Sequence, residues 1–197
     1  MNVLLFSGGV DSTALAYMIR PDLVLTIDYG QRCAPAEIDA ATQIAAEIGL
    51  KQEIITIDCR SIGQGEMADS GRISTQSPNA EWWPFRNQLL ATIAAAYMID
   101  HEDVQLIFGT VSSDAAHGDG RAEFFENLNR LLRGQEGGVA ASAPALNLTT
   151  QELVLRSGVT PGILGWSFSC HRSNLACGQC RGCIKRREAL ALTGHQL

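Results

Sequence analysis

Two stretches carry reactive residue types at close spacing. The first, Ser7-Gly8-Gly9-Val10-Asp11-Ser12-Thr13, follows an apolar run over residues 3–6. Paired glycines remove two Cβ atoms, so a bulky anion can approach backbone N–H groups and the positive end of a following helix. Ser7, Ser12 and Thr13 add hydroxyl donors, and Asp11 adds an early carboxylate. This is phosphate-loop chemistry, but it lacks the lysine that opens the helix in a GxxxxGK[ST] loop. The same residues also describe an ordinary tight strand–turn–helix junction, and the pattern alone leaves both readings open.

The second stretch holds Cys170, Cys177, Cys180 and Cys183, spaced C-x6-C-x2-C-x2-C. A C-x2-C pair places two thiolates on one metal through a tight knuckle, and a distant thiolate completes the tetrahedron of structural zinc. Four thiolates leave no open position, so the expected role is to hold a C-terminal helix over residues 185–192 against the active site. His171 could substitute as a ligand, but four thiolates already close the site. The alternatives are an iron–sulfur cluster, which also uses C-x2-C-x2-C, and disulfides, which such crowding in a reducing compartment disfavours. Arg172, Arg181, Lys185, Arg186 and Arg187 surround the cluster. They are expected to stabilise thiolates and to present a positive face to phosphate or a carboxylate.

Other polar residues stand where predicted elements end. Asp28 closes the second predicted strand and reads either as a loop cap or as a neighbour of a nucleoside. Arg32 can reach a phosphate or a carboxylate, while Cys33 reads as a small, partly buried side chain. Trp82 and Trp83 end a long polar loop; they either pack or wall a flat heterocycle. Arg86 and Asn87 head a helix whose apolar character does not explain them. Gly109-Thr110 follow the fourth predicted strand. Asp119-Gly120-Arg121 lead into a further helix, with Asp119 as an N-cap or a substrate contact.

The elements that must position these groups alternate. Strands are predicted over 3–6, 23–27, 52–57 and 104–108, with a short strand or extended run over 144–148. Helices are predicted over 11–19, from Pro35 to a stop at Gly49, over 86–99, up to Arg133, and over 151–156. The helix over 86–99 is expected to pack Leu89, Leu90, Ile93, Ala94, Tyr97 and Met98 against the sheet centre. The next helix should present Phe124, Leu128, Leu131 and Leu132. Thr149 and Glu152 have capping-box spacing. Residues 59–84 read as a lid, binding loop or interface segment, and 134–143 as a small-residue linker. The expected architecture is α/β: an open parallel sheet with helices on both faces, right-handed crossovers and ligands at the strand ends. One domain over 1–197 is expected, with a zinc-binding segment at 166–192.

The chain has 197 residues and a net charge of −6, which argues against a polybasic surface for direct nucleic-acid binding. No stretch is long and apolar enough for a membrane span, and residues 3–6 are too few for a signal peptide. A cytoplasmic protein with no membrane partner is the expectation.

The SGGVDS loop resembles that of the PP-loop ATP pyrophosphatases, which cleave ATP to AMP and pyrophosphate on an adenine nucleotide alpha hydrolase-like fold. The set formed by this loop, Asp28-Tyr29-Gly30-Gln31-Arg32, Pro84-x-Arg86-Asn87, the region from Gly109 to Phe124, and Cys177-Gly178-Gln179-Cys180 with Cys183 and Arg187 resembles the QueC family. That family, the 7-cyano-7-deazaguanine synthases, adenylates the carboxylate of 7-carboxy-7-deazaguanine. Ammonia captures the acyl group as an amide, and a second activation dehydrates it to the nitrile. The resemblance implies ATP, Mg2+ near Asp11, cysteine-bound Zn2+, a small-molecule 7-deazapurine substrate and a homodimer. It implies nucleotide contacts from Ser7, Gly8, Gly9, Asp11, Ser12 and Thr13, and from Asp28, Arg86, Asn87 and Gly109. It points to chemistry at Asp11, Ser12, Arg86, Asp119 and Arg121; from residue type, Arg86 or Arg121 is expected to pair the substrate carboxylate, and Trp82, Trp83 or Phe85 to sandwich the base.

The sequence departs from the family pattern at two of these motifs. Phe85 stands where glycine is usual in Pro-Gly-Arg-Asn, and Cys33 where histidine follows Gly-Gln-Arg. Relatives of the family act in antiphage systems, so a QueC-like ligase that joins the activated deazaguanine to another amine, such as a protein amine, is the alternative reading.

Overall fold

The computed structural model describes residues 1–68 and 70–194. Five parallel strands run in the order β3-β2-β1-β4-β5: β1 (Asn2–Leu5), β2 (Leu23–Asp28), β3 (Gln52–Thr56), β4 (Gln105–Ile107) and β5 (Ala140–Ser142). The register sets Val3 beside Leu23 on one side and beside Leu106 on the other. Successive strand side chains point to opposite faces. Val3, Leu23 and Leu25 therefore join one core layer with Leu106, Phe125 and Trp83. Leu4 and Val24 join the opposite layer with Leu15, Ile44 and Leu153.

Among the described residues, seven α-helices cover both faces. α3 (Arg86–Tyr97) and α4 (Ala122–Arg133) pack on the first layer. α1 (Val10–Ile19), α2 (Ala34–Ile48), α5 (Thr150–Ser157), α6 (Pro161–Gly165) and α7 (Arg181–Leu192) pack on the second. α2 carries Pro35 in its first turn and stops at Gly49, whose φ of +68° suits a residue without Cβ. The Thr149–Glu152 capping box forms as its spacing predicts, with the Glu152 N–H donating to Thr149 Oγ1 at 3.1 Å.

Several expectations need correction. β5 lies inside the stretch 134–143 expected to be a linker, and 144–147 form turns rather than a strand. Ala140 and Ala141 are buried, and the Ala140 N–H donates to Val104 O, so small residues pair where the sequence shows no apolar alternation. α3 ends at Tyr97, and Tyr97 is exposed rather than packed on the sheet. Leu131 of α4 is also exposed. α7 begins at Arg181, one turn before the predicted start. Among the described residues no helix is long and apolar enough to cross a membrane.

Candidate active site at the sheet switch point

Strand order reverses between β1 and β4, so the chains leaving these two strands part to opposite faces and leave a crevice beyond their carboxyl ends. A cavity of about 290 Å³ occupies it. Ser7, Gly9, Asp11 and Ser12 line it after β1, and Phe108, Gly109 and Thr110 line it after β4.

The first loop is fixed from behind. Gly8 has a φ of +70°, and a Cβ there would stand 2.6 Å from the Ala41 nitrogen. Its carbonyl accepts the Phe168 N–H at 2.9 Å. Gly8 itself lies outside the lining. Gly9 caps α1 with extended backbone and no side-chain bond, so side chains leave the first-turn donors largely open. Ser7 Oγ accepts the Gly9 N–H, and Ser169 Oγ accepts the Val10 N–H, both at 3.3 Å. Ser12 Oγ donates to Gly9 O at 3.1 Å and lies 3.3 Å from Ser7 Oγ. Thr13 is buried behind the loop, its hydroxyl without a partner among the described residues.

Asp11 is held on both oxygens. Thr150 Oγ1 donates to Oδ1 at 2.7 Å, and Lys185 Nζ donates to Oδ2 at 2.8 Å. The same ammonium lies 3.8 Å from Asp114 Oδ1. Lys185 comes from α7, so the loop without a lysine of its own meets one from the far end of the chain.

Arg86, the first residue of α3, also enters the cavity. Burial opposes its charge, but Tyr29, Asp119, Asp114 and Glu37 outweigh that penalty and raise its pKa. Nearby, Gln31 Nε2 donates to Glu37 Oε2 at 2.7 Å, and Cys33 Sγ donates to Glu37 Oε1 at 3.2 Å. Burial pushes the Glu37 carboxyl and the Tyr29 phenol up from their ordinary values. Cys33 is held high by burial and by Glu37.

Asn87 and Asp119 form a clamp. The Asn87 N–H donates to Asp119 Oδ2 at 3.2 Å, and Asn87 Nδ2 donates to Asp119 O at 2.8 Å. Asp119 therefore caps nothing on α4, whose N-cap is Arg121 with no side-chain bond. It ties the loop before α4 to the start of α3, and both clamp residues line the cavity. His117 lies on the same loop, with Asn79 Nδ2 and His117 Nε2 2.7 Å apart. Burial first, then Arg86, lowers its pKa.

Besides Gly8 and Thr13, three further sequence candidates fall outside the cavity. Asp28 lies outside the lining and accepts the Gly30 N–H at 2.9 Å, the loop-cap alternative. Arg121 donates through Nε to Ala115 O at 3.1 Å on the exterior. Phe85 is 74% exposed at a φ of +55° and lines a separate shallow groove with Ile62, Pro84 and Leu89. Trp82 and Trp83 both border the cavity, but Trp83 is core: it is 1% exposed and meets Tyr29 edge-on at 4.9 Å. The sequence does not single out Glu37, Asp114 or His171 for the lining, whereas Lys185 and Arg181, expected to present a positive face to phosphate or a carboxylate, do line the cavity. The signal for Lys185 was its helix, which carries Cys183 two residues earlier.

The four cysteine sulfurs lie within 4.8 Å of one another. Cys177 and Cys183 are 3.9 Å apart, and Cys180 and Cys170 4.0 Å. Zinc–thiolate bonds of about 2.3 Å give tetrahedral edges of about 3.8 Å, so the donor set fits zinc. Backbone N–H groups of Arg172, Cys180 and Cys183 donate to the sulfurs of Cys170, Cys177 and Cys180. Three of the basic residues expected to stabilise thiolates clamp other elements. Arg172 pairs both oxygens of Glu66 at 2.7 Å. Arg186 donates to Ser167 O and Gly165 O, and Arg181 to Ser113 O. Gly182 sits in the first turn of α7, where a Cβ would come within 1.8 Å of Ser169 O. His171 stays outside the sulfur cluster, lines the cavity and is lowered to about 4 by burial and then by Arg86.

With this geometry in hand, comparison with known proteins gives one direction. The family model described as Queuosine biosynthesis protein QueC matches residues 1–194. The chain is 27% identical to a protein named 7-cyano-7-deazaguanine synthase from Methanocaldococcus jannaschii, over 98% of this chain and 95% of that one. A protein of the same name from Pseudomonas syringae pv. tomato is 29% identical, over 98% and 93% respectively. One from Thermoplasma acidophilum is 28% identical, over 98% and 89%.

Proposed function

The chain belongs to the QueC family of queuosine biosynthesis proteins, and from that premise we propose that it converts 7-carboxy-7-deazaguanine to 7-cyano-7-deazaguanine with ATP. The reading rests chiefly on one observation: Arg86, charged and free of any ion pair among the described residues, shares a cavity with an uncapped Ser-Gly-Gly loop. One group suits a carboxylate and the other a phosphate chain.

In this reading the substrate carboxylate lies against Arg86 and attacks the α-phosphorus of ATP. Backbone donors at Gly9 and the hydroxyls of Ser7 and Ser12 take the negative charge of departing pyrophosphate. Ammonia displaces AMP from the acyl adenylate and leaves an amide. A second ATP adenylates the amide oxygen, and loss of AMP and a proton gives the nitrile. Asn87 and Asp119 position α3 so that Arg86 keeps its aim. Asp11 and Asp114 offer the hard oxygens that magnesium prefers, and the ion would lower the charge barrier at phosphorus. Cys170, Cys177, Cys180 and Cys183 would hold zinc in a structural role. The enzyme is proposed to work in the cytoplasm as a homodimer, which light scattering on the purified protein tests.

Phe85 favours a second reading. It replaces the family's glycine, is exposed, and immediately precedes Arg86. A ligase that passes the acyl group to a protein amine would have such a changed rim. Both readings require pyrophosphate and AMP from ATP only when 7-carboxy-7-deazaguanine is present. Mass spectrometry of the product separates nitrile and amide from a conjugated protein. Absence of substrate-dependent pyrophosphate would overturn both.

A further inference from the structure

Lys185 lies outside every motif that carries the family resemblance to the nucleotide loop, yet its ammonium stands at that loop. It meets Asp11 at 2.8 Å and Asp114 at 3.8 Å, and its side chain lines the cavity. We infer that Lys185 is a phosphate-binding residue that supplies the cation missing from the Ser-Gly-Gly loop, and that the four-cysteine segment sets its position. The inference rests on the proposed ATP chemistry.

The other cations are committed elsewhere. Arg86 sits beside Tyr29 and Met67, at the β2 side of the cavity. Arg181 bonds Ser113 O and pairs with Glu81. Arg186 is spent on the carbonyls of Ser167 and Gly165. Lys185 stands beside the first turn of α1, which holds Asp11. An ammonium has three donors. Asp11 takes one, Asp114 lies at the range of a second, and the remainder faces the cavity where pyrophosphate would form. The ammonium offsets one of the two carboxylate charges at Asp11 and Asp114, which lessens the repulsion a polyphosphate meets there.

The cysteine segment supplies the placement. Cys180 is the N-cap of α7 and accepts the Cys183 N–H at 3.4 Å. Lys185 follows two residues later on the same helix. Ser169, next to Cys170, accepts the Val10 N–H, and its carbonyl fills the space a side chain at residue 182 would need. The metal-ligating segment therefore rests on both the helix that carries Lys185 and the loop that Lys185 serves.

Calorimetric titration of the zinc-loaded protein with inorganic pyrophosphate, and separately with AMP, in magnesium buffer tests this. Lys185→Met and Lys185→Gln are compared with wild type and with Lys51→Met, an exposed lysine just before β3. Zinc content and Tm are measured for each. The expected result is a loss of about 10-fold or more in pyrophosphate affinity for both Lys185 variants. AMP affinity should change less than twofold, zinc should stay at one per chain, and Lys51→Met should bind as wild type does. Unchanged pyrophosphate affinity in a zinc-loaded Lys185 variant overturns the inference. So does an equal loss for AMP and pyrophosphate, or loss of zinc, since either marks a structural role. If wild type binds neither ligand, the ATP reading itself fails and the inference falls with it.

Discussion

The guanidinium of Arg86 donates to the thioether of Met67 at 2.9 Å. A thioether is a weak acceptor for a charged donor. Among the described residues no carboxylate lies within ion-pair distance, although Asp119, Asp114 and Glu37 contribute at longer range. A half-buried guanidinium with so weak an acceptor has the chemistry to take an anion.

Replacing Arg86 should therefore abolish recognition of the substrate carboxylate. Arg86→Met is expected to lower substrate-dependent pyrophosphate release by about 100-fold. Arg86→Lys keeps the charge but loses the fork that matches a carboxylate, and should recover only a small part. Steady-state rates at several substrate concentrations check both, and wild-type rates in either variant would remove Arg86 from the site.

Phe85 holds left-handed backbone at the N-cap of α3, with a φ of +55°. A side chain there costs roughly 1–2 kcal/mol relative to glycine. Phe85→Gly should stabilise the protein by about 1 kcal/mol, a rise of about 2–4 °C in Tm by scanning calorimetry. A lower Tm would mean that the exposed ring makes contacts worth more than the strain.

Zinc should be required for the fold of the C-terminal segment. Cys180→Ser, or treatment with a strong chelator, is expected to remove about one zinc per chain by elemental analysis. A loss of about 3 kcal/mol would lower Tm by about 6–12 °C. An unchanged Tm after complete metal removal would refute the structural assignment.

His117 gives a pH signature. Burial and Arg86 depress its folded pKa below the ordinary value. Between the depressed value and about 6.5 the unfolded chain binds more protons, so stability rises with pH through that window and levels off above it. The contribution is lost as pH falls. Urea denaturation from pH 5 to 7.5 should show this slope, and His117→Gln should flatten it. An NMR midpoint for His117 at or above 6.5 would contradict the assignment.

The strand–loop–helix chemistry after β1 and the zinc spacing were legible because each is local. Residues 7–13 and the C-x2-C pairs carry their geometry in consecutive positions. β5 was not legible: Ala140, Ala141 and Ser142 are small, and three residues show no periodicity. Their strand character comes from pairing with β4. Asp119 carried a capping residue type, but its partner is Asn87, 32 positions away. The two tryptophans look alike in sequence, yet only the fold assigns Trp83 to the core and leaves Trp82 on the cavity wall. Lys185 and Asp11 are separated by 174 positions, so no spacing rule could join them.

Gly182 sets a limit on what a laboratory could change. Any Cβ there would collide with the Ser169 carbonyl, a backbone atom with no rotamer to yield. In a saturation library selected for activity, position 182 should return glycine alone, while position 85 should return many residues. The first turn of α7 therefore behaves as a keystone, where the shape of empty space, rather than any functional group, is what selection must preserve.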